Sequence, residues 1–458
     1  MKISKAFSLL LALAMLLVLA IPAYAQLGDT DTSSFTVQNV SGTDGVSVTI
    51  KFIAENGTEY TPTELGPGIT NPFTLDDGDS KEVYVPNIPE SQLPSGRYSV
   101  VISSTGKVVA IATVAGTGTK RFTGSYIGTG VGASPFYMPS FYYNFYGWYS
   151  MISVQNLGSN LADITVSITC EDGTTGTMTA TGVKAMASHH FVTKSDMPTG
   201  FAASTKCTGS AKITEASGQP LVATDNLNKP ATGNTISFTG LTDGSVALNV
   251  PALYKGYYGW DSSLNIRKLD AGDTTVTVSY SDAGSSTCAL TDAQPGCLLY
   301  MPTVHAGSGN FGATITNSAS KKLVVVSNST KGTLSLAYLG IDPTAGSTEV
   351  GIPSVFKEYY KWNSSFTCQN VGTVSTKINV AYQGKTPYDH TKTLTTGDIV
   401  EVYQPNETIL ANGYQGGATI TAVAASGKIA CIVNFTNNNF QDPSKPGDWS
   451  TSYNAFNK

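Results

Sequence analysis

The residue types that most often carry catalysis or hold metal ions are sparse in this sequence. Its four histidines are His189, His190, His305 and His390, of which only the first two are neighbours. Because successive side chains of a strand point to opposite faces, His189 and His190 make a poor shared metal site. No His-Glu-x-x-His, Gly-x-Ser-x-Gly or Ser-x-x-Lys arrangement occurs in a suitable context. We therefore expect a protein without catalytic residues, metal ligands or a cofactor.

Two short segments resemble ligand-binding motifs in composition but not in context. Residues 307–312 match the dinucleotide-binding pattern Gly-x-Gly-x-x-Gly letter for letter, yet no helical sequence follows them. A turn before a strand at 313–316 explains them better. Residues 76–79 read Asp-Asp-Gly-Asp, which suggests calcium, but the spaced carboxylates and distal glutamate of a binding loop are lacking. This second segment favours a hairpin turn.

A recurring aromatic stretch is the strongest non-catalytic signal. Residues 138–151, 250–263 and 352–365 share the order apolar residue, proline, aromatic cluster, tryptophan and serine. Their prolines, at 139, 251 and 353, lie 112 and 102 residues apart, which is the length of one small domain. We interpret these stretches as connectors whose aromatic side chains pack between consecutive domains, offer platforms for sugar rings or make subunit contacts. The side chains concerned are Tyr146, Trp148, Tyr258, Trp260, Tyr360 and Trp362.

Between these stretches the sequence alternates with the period of β-strands. Each unit opens with a Ser-rich alternating segment, and a second alternating segment follows within a few residues. A closing apolar strand and a Ser/Thr-aromatic strand end the unit. Seven or eight short strands per hundred residues, without a helical window, predict an all-β protein of four tandem immunoglobulin-like β-sandwich domains. The opening segments are 34–40, 150–157, 263–269 and 365–371.

Residues 1–25 have the features of a secretory signal peptide. Lys2 and Lys5 precede an apolar run, and Ala23-Tyr24-Ala25 supplies a small-residue cleavage site. The run is too short for a favoured membrane span and the C-terminal residues form no apolar tail, so we expect no transmembrane anchor. Charged residues make up 13% of the sequence and the formal net charge is −5, which argues against a nucleic-acid-binding surface. We expect the protein to be secreted, either extracellular or at the cell surface.

The six cysteines fall two per unit in the last three units, as suits an exported protein. Pairing within each unit is the only connectivity that respects independent domains. It predicts the bonds Cys170–Cys207, Cys288–Cys297 and Cys368–Cys431. Free buried thiols are the alternative, and a zinc site is disfavoured because no Cys-x-x-Cys occurs.

With these elements in place, the sequence resembles the tandem immunoglobulin-like modules of secreted bacterial surface proteins. The resemblance rests on the Trp-[Asp/Asn]-Ser-Ser-x-x-x-Gln-Asn-[Val/Leu]-Gly opening, the Pro-x-aromatic connector and the closing Val-x-Asn strand. It covers most of residues 34–456 and is weakest in the first unit, which has no connector before it. Such modules serve many binding tasks, and the resemblance implies a surface-layer, filament or adhesin role.

The domain organisation leads to a functional prediction. Three connectors serve four domains, so one terminal domain is left with an open strand edge, and open edges pair with other chains. We predict a non-enzymatic, structural cell-surface protein of an extracellular filament, sheath or surface layer, assembled head to tail or with other surface components. The alternative is an adhesin that binds polysaccharide through the connector aromatics. The predicted boundaries are 1–25 for the signal peptide and 26–134, 135–248, 249–350 and 351–458 for the domains.

Overall fold

The chain folds as four consecutive β-sandwich units. The computed structural model describes residues 31–116 and 121–458, and the segment predicted to be a signal peptide lies outside them. The described chain consists mainly of antiparallel strands, which repeat as similar sheets along the sequence. This arrangement confirms the prediction of an all-β chain of tandem sandwich units. Within the described ranges, no helix is both long and apolar enough to span a bilayer.

Units 1 and 2 are formed by the strands of the first half of the chain. In unit 1 these are β1 (Asp31–Asn39), β2 (Val46–Ala54), β3 (Glu59–Tyr60), β4 (Glu64–Gly66), β5 (Ile69–Thr70), β6 (Phe73–Leu75), β7 (Ser80–Tyr84), β8 (Tyr98–Ser104), β9 (Val108–Gly116) and β10 (Phe122–Ile127). In unit 2 they are β11 (Phe136–Phe145), β12 (Trp148–Asn156), β13 (Ala162–Cys170), β14 (Thr175–Val183), β15 (Ser188–Val192), β16 (Cys207–Glu215), β17 (Leu221–Lys229) and β18 (Asn234–Thr239).

Units 3 and 4 repeat the plan of unit 2. Unit 3 contains β19 (Leu248–Tyr257), β20 (Trp260–Lys268), β21 (Thr274–Tyr280), β22 (Ser285–Leu290), β23 (Gly296–Tyr300), the short helix α1 (Met301–Val304), β24 (Gly309–Asn317), β25 (Leu323–Lys331) and β26 (Leu334–Leu339). Unit 4 contains β27 (Glu349–Lys357), β28 (Trp362–Asn370), β29 (Ile378–Tyr382), β30 (Tyr388–Asp389), β31 (Ile399–Tyr403), β32 (Tyr414–Ala422), β33 (Ile429–Asn437), β34 (Ser450–Asn454) and β35 (Phe456–Asn457). Short 3-10 turns lie at Val85–Asn87, Pro343–Ala345, Gln404–Asn406 and Asn438–Gln441.

Alternating side chains produce each sandwich. In β13, for example, Ile164, Val166 and Ile168 are buried while the residues between them are more exposed. The strand order in unit 2 is β14-β13-β16-β11-β12-β17-β18, with β15 added on β12, and unit 3 has the same order. In units 2 to 4 the first strands begin at Phe136, Leu248 and Glu349, within two residues of the expected domain starts.

The last long strands of the four units meet around a common axis. We call β10, β18, β26 and β34 the axial strands; each packs against the next, and β34 packs against β10. On their axial side, positions equivalent by register are small: Ser125, Ser237, Ala337 and Ser452. Their other faces carry Phe238, Tyr338 and Tyr453 into the cores of units 2, 3 and 4. The four units therefore close into a ring.

Small residues are needed at this axis because the strands approach closely. A Cβ added at Gly124 of β10 would lie 1.9 Å from the hydroxyl oxygen of Ser237 in β18. Polar groups bind across each junction: the Thr239 hydroxyl donates to the Ile127 carbonyl over 2.6 Å, and the Ser452 hydroxyl donates to the Ala337 carbonyl over 2.6 Å. The axis is thus a dry, hydrogen-bonded interior rather than a solvent channel.

One buried carboxylate, Asp448, connects all four units. Its two oxygens accept backbone N–H groups of Thr235 in unit 2 at 3.0 Å and Ser335 in unit 3 at 3.1 Å. It also accepts from Ser450 of its own unit, and its own N–H donates to the Arg121 carbonyl of unit 1 at 2.7 Å. Burial raises the pKa of Asp448 well above its usual range, while these donors oppose that shift.

The ring is an arrangement of the four tandem units that the sequence analysis did not predict. The head-to-tail contact between consecutive units closes inside one chain, because unit 4 contacts unit 1. Lys458, near the end of unit 4, lies 2.8 Å from Asp77 of unit 1, and Gln38 of unit 1 donates to the Ala418 carbonyl of unit 4 over 3.3 Å. Sequence patterns within one unit contain no information on the angle between units, which is why this closure was not foreseen.

The predicted disulfides are all present. Cys170 bonds to Cys207, Cys288 to Cys297 and Cys368 to Cys431. Cys368 and Cys431 lie opposite each other on β28 and β33, and both are buried in the core of unit 4. By the loop-entropy estimate, the bond that closes this long loop contributes about 4 kcal/mol.

Asp448→Ala should destabilise the ring more than any comparable change in the same loop. The substitution leaves the buried N–H group of Thr235 without an acceptor, at about 1–3 kcal/mol. The Ser335 N–H loses one of two acceptors but keeps the Ser450 hydroxyl at 2.8 Å. Chemical denaturation should show the loss of stability, and hydrogen exchange should show faster exchange at the Thr235 amide. Asp442→Ala, at a partly exposed position of the same loop, is the control; equal effects of the two changes would contradict the role given to Asp448.

Candidate functional site

The aromatic stretches are hairpins inside units 2, 3 and 4, not connectors between units. β11 pairs with β12, β19 with β20, and Tyr359 bridges Trp362 at the same place in unit 4. Each turn is possible because Tyr146, Tyr258 and Tyr360 adopt positive φ angles of 49°, 48° and 47°. An L-residue rarely adopts this conformation, so a tight turn could not be predicted there from the residue types.

Proline and serine fix the shape of each hairpin. The pairing of the first strand shifts register at Pro139, Pro251 and Pro353, which forms a bulge that bends the strand from one sheet toward the other. A serine of the second strand then accepts a backbone N–H of the first over 2.8–3.0 Å. These acceptors are Ser150, Ser262 and Ser364. The apolar-Pro pattern and the Trp-x-Ser pattern therefore belong to the two strands of the same hairpin.

The hairpins expose one tyrosine each and keep their other rings partly or fully buried. Tyr146, Tyr258 and Tyr360, which we call the tip tyrosines, are 78%, 78% and 80% exposed. Each contacts the preceding ring edge to face, with centroids 4.7–4.8 Å apart. Trp148, Trp260 and Trp362 are only partly exposed. The tip tyrosines are therefore the aromatic groups that a partner molecule reaches first.

The inner aromatic residues of each hairpin contact the next unit. The Tyr254 hydroxyl of unit 3 accepts from the Asn434 side chain of unit 4 at 2.9 Å, and the Tyr257 hydroxyl donates to Glu401 at 2.8 Å. In unit 2, the Tyr142 hydroxyl lies 3.5 Å from the Asn328 amide of unit 3. Packing between consecutive units was one of the roles expected for the aromatic stretches, but hairpins rather than linkers provide it.

The junction between units 4 and 1 is less completely filled. Here Phe356 replaces the tyrosine, and Thr113 stands where the other units carry asparagine, so the hydrogen bond is lost. A cavity of about 550 Å³ lies at this junction, and a second of about 400 Å³ adjoins it. Residues that line the larger cavity include Glu82, Tyr84, Arg121, Tyr359, Tyr360 and Trp362. We call these two connected spaces the junction cleft.

The junction cleft combines aromatic faces with hydrogen-bonding groups. Tyr84 is 43% exposed at its edge, beside the tip Tyr360. The Glu82 carboxylate accepts from the Gln415 amide at 2.5 Å, and burial raises its pKa. The Arg121 guanidinium stacks on Trp449 with 4.3 Å to the ring centroid. Flat rings beside polar side chains suit a molecule with both apolar and hydroxylated faces.

A buried carboxyl group holds the hairpin of unit 2. The Ser150 hydroxyl donates to Asp225 over 2.9 Å while accepting the N–H of Tyr142 over 3.0 Å. Burial raises the pKa of Asp225 to about 7, against the hydrogen bonds that lower it. The fully buried carboxyl group thus holds the serine that shapes the hairpin.

The histidines and the two short motifs have structural surroundings. His189 contacts Glu55 of unit 1 at 3.1 Å, whereas His190 contacts Ser153 within its own sheet at 2.7 Å. Burial lowers the pKa of His190 to about 4. Residues 309–317 form strand β24, and residues 76–79 form a tight turn in which the Asp79 N–H donates to the Asp76 carbonyl. In the described ranges, no group of three His, Cys, Asp or Glu side chains is placed to hold a metal ion.

Sequence reasoning predicted the axial strands as the Ser/Thr-aromatic strands that end each unit, but it missed their burial at a common axis and the junction cleft. The axial strands did leave a signal, since each combines Ser or Thr with aromatic or aliphatic residues. Such a combination normally indicates one solvent-facing side, but here the polar side faces the neighbouring units. The junction cleft left no signal, because Glu82 and Tyr84 are far from Tyr360 in the sequence.

Comparisons with known proteins add little to this geometry. No protein-family model matches the sequence, and no curated protein matches it. Among solved structures, the tetra-tandem repeat in the extending region of a large adhesion protein aligns with 95% of this chain and 97% of its own length. The sequence identity is 12% and the TM-score is 0.10, which is too low to carry an argument. The site is therefore interpreted from its own contacts.

The buried Asp225 predicts a specific pH dependence of stability. In the unfolded chain an aspartate ionises near pH 4, whereas the folded pKa of Asp225 is about 7. Its contribution to the free energy of unfolding therefore falls as the pH rises from about 4 to about 7, and is constant above that.

Asp225→Asn should remove this dependence while keeping the acceptor for Ser150. Relative to the unaltered protein, the variant should gain stability between pH 4 and pH 7, by at most about 4 kcal/mol. Urea denaturation across this range measures the difference. Asp196→Asn, an exposed aspartate of the same unit, is the control. A difference that does not change with pH would contradict a neutral, buried Asp225.

Proposed function

We propose that this protein is a non-enzymatic structural subunit of an extracellular cell-surface assembly, such as a surface layer, sheath or filament. The disulfide in each of units 2 to 4 supports a location outside the reducing cytoplasm. The closed ring supports a building-block role, because charged and polar side chains at the junctions hold the four units in one arrangement.

The observation that carries this proposal is the placement of the tip tyrosines. The junctions 2–3, 3–4 and 4–1 each bring the first hairpin of one unit against the opening and closing strands of the next. Repeating one contact in a closed cycle relates the units by rotation, so equivalent tips lie at the same end of the ring. Three tyrosines with 78–80% exposure then share one face. Exposed tyrosines are enriched in binding surfaces.

A second candidate function is polysaccharide binding by an adhesin, and the junction cleft favours it. Tyr84 and Tyr360 offer exposed ring faces, and Glu82 and Arg121 lie in the same cavity. The cleft lies at the hairpin junction in which phenylalanine and threonine replace the Tyr–Asn contact of the other two. This observation moves the expected sugar contact from a row of three aromatic connectors to one cleft.

Replacing the three tip tyrosines should weaken assembly without unfolding the ring. The variant is Tyr146→Ser, Tyr258→Ser and Tyr360→Ser, and the exposed positions predict little change in melting temperature. Negative-stain electron microscopy of the purified protein and of material sheared from producing cells should show sheets or filaments for the unaltered protein, and a loss of order for the variant.

A matched control carries Leu161→Ser, Met197→Ser and Val246→Ser, which are 53%, 51% and 50% exposed elsewhere. This control should assemble normally. The structural proposal is contradicted if neither the purified protein nor the sheared material forms any ordered assembly.

The adhesin candidate predicts a different set of responses. Titration with a panel of polysaccharides should change tryptophan fluorescence through Trp362, which lines the junction cleft. Tyr360→Ala should abolish the change, whereas Tyr258→Ala, at an equivalent tip away from the cleft, should preserve it. Indifference of the fluorescence to the whole panel would eliminate this candidate.

A further inference from the structure

The described part of unit 1 contains no counterpart of the first strand of the other three units. The first strands of units 2 to 4 pair along β16, β24 and β32, and also pack against β17, β25 and β33. The corresponding strands of unit 1 are β8 and β9. In the part of the chain that the structure describes, β8 pairs with β2 alone. A groove between β8 and β9 therefore stands where a first strand belongs.

Side-chain exposure shows that this groove is uncovered. Val100, Ile102, Val108, Ala110 and Ala112 of unit 1 are all partly exposed. The residues at the same register positions in the three complete units are at most 3% exposed. These are Ala211, Ile213, Leu221, Ala223 and Asp225 in unit 2; Ala313, Ile315, Leu323, Val325 and Ser327 in unit 3; and Ala418, Ile420, Ile429, Cys431 and Val433 in unit 4. These apolar side chains of β8 and β9 are therefore exposed where a first strand covers their equivalents in the other units.

The complete units show which side chains such a groove accepts. Around the proline bulge, the first strand of unit 2 buries Met138 and Phe141, each 0% exposed. The corresponding pairs in units 3 and 4 are Val250 with Leu253 and Ile352 with Val355, also 0% exposed. The matching occupant is thus an extended segment with apolar side chains on both sides of a proline.

The chain encodes this pattern once more, in its leader. In units 2 to 4, the proline of the first strand lies nine residues before the start of the second strand; these prolines are Pro139, Pro251 and Pro353. Pro22 likewise lies nine residues before Asp31, where β1 begins. The residues around it read Ile21-Pro22-Ala23-Tyr24, against Val-Pro-Ala-Leu at 250–253. The predicted cleavage after Ala25 cuts through this segment and leaves five residues before β1. A first strand and its turn occupy twelve residues in unit 2, from Phe136 to Gly147.

We propose that, once the leader is removed, the groove between β8 and β9 binds an extended segment of a different protein, with apolar residues flanking a proline. Backbone hydrogen bonds to the open edge of β8 would supply affinity, and the apolar contacts would supply specificity. This inference deepens the proposed function, because the groove is the place at which the ring joins other surface components.

A second copy of the chain is a poorer occupant. The three strands with the required pattern, β11, β19 and β27, are each paired within their own unit. The final strand β35 pairs with β27, and Lys458 contacts both Asp77 and Glu349. A second ring therefore has no described strand free to donate, whereas a separate surface protein carries no such restriction.

The test uses the oxidised chain that begins at Gln26 and a fluorescent peptide of residues 17–28. The peptide should bind saturably at micromolar concentrations, and hydrogen exchange should show new protection at the amides of β8. A peptide with Ile21→Asp and Tyr24→Asp should not bind. The protein variant Ile102→Asp should also lose binding. If this variant fails to fold, the protection of the β8 amides in the unaltered protein still tests whether the peptide occupies the groove.

A longer chain gives a second readout. The chain that begins at Leu17, refolded under the same oxidising conditions, should reject the peptide and melt at a higher temperature, because its own segment fills the groove. Absence of both peptide binding and β8 protection at saturating peptide would overturn the proposal.

Two other results would assign the groove to another occupant and also overturn the proposal. The first is dimerisation of the chain from Gln26 that Ile102→Asp abolishes, because a second copy would then fill the groove. The second is native protein from the cell surface whose mass retains residues 19–28, because the chain's own segment would then fill it. The proposed structural role is tested separately. Ordered assemblies without peptide binding would refute only the binding role of the groove, and peptide binding without ordered assemblies would refute only the structural role.

Discussion

The ring depends on the burial of polar strands at a common axis. Asp448 of unit 4 lies there without solvent contact and hydrogen-bonds to units 1, 2 and 3. A buried carboxylate is costly unless its partners are in place, and here those partners are backbone groups whose positions are fixed by strand pairing. The aspartate therefore stabilises the arrangement in which all four units meet, relative to any arrangement in which some of its partners are missing.

The junctions show how one repeated contact has been varied. At junction 3–4 a tyrosine hydroxyl accepts a hydrogen bond from an asparagine amide, and at junction 2–3 the same two groups lie 3.5 Å apart. At junction 4–1 phenylalanine and threonine occupy these positions. Where the polar pair is lost, the strands leave the junction cleft open. At junction 1–2, the described residues of unit 1 include no first strand. The adhesin candidate and the groove of unit 1 thus arise at the two junctions that depart from the common pattern.

Much of the architecture could be predicted from the sequence because its signals are local. Alternation identified the strands, and cysteine spacing identified the pairs, including Cys368 with Cys431 across two neighbouring strands. The missing element of unit 1 was visible as a missing aromatic stretch. It was understood as a missing connector, because Tyr146 and its equivalents make turns in a conformation that tyrosine rarely adopts.

The remaining features are non-local and could not be read from one unit. The polar side of the axial strands has the same alternation as a solvent-exposed face, so Thr235 and Ser335 gave no sign of burial. The junction cleft joins residues from both ends of the chain, such as Glu82 and Tyr360. Only the angle between units decides whether these residues meet, and that angle is set by contacts spread over all four units.

Small-angle X-ray scattering of the chain from Gln26 tests ring closure most directly. A closed ring of this length should have a radius of gyration of about 22–25 Å, close to the value for a compact domain. Four sandwiches stacked end to end, each about 30 Å long, would form a rod with a radius of gyration of about 35 Å. The compact value for a monomer would support closure through Asp448, and the rod value would contradict it.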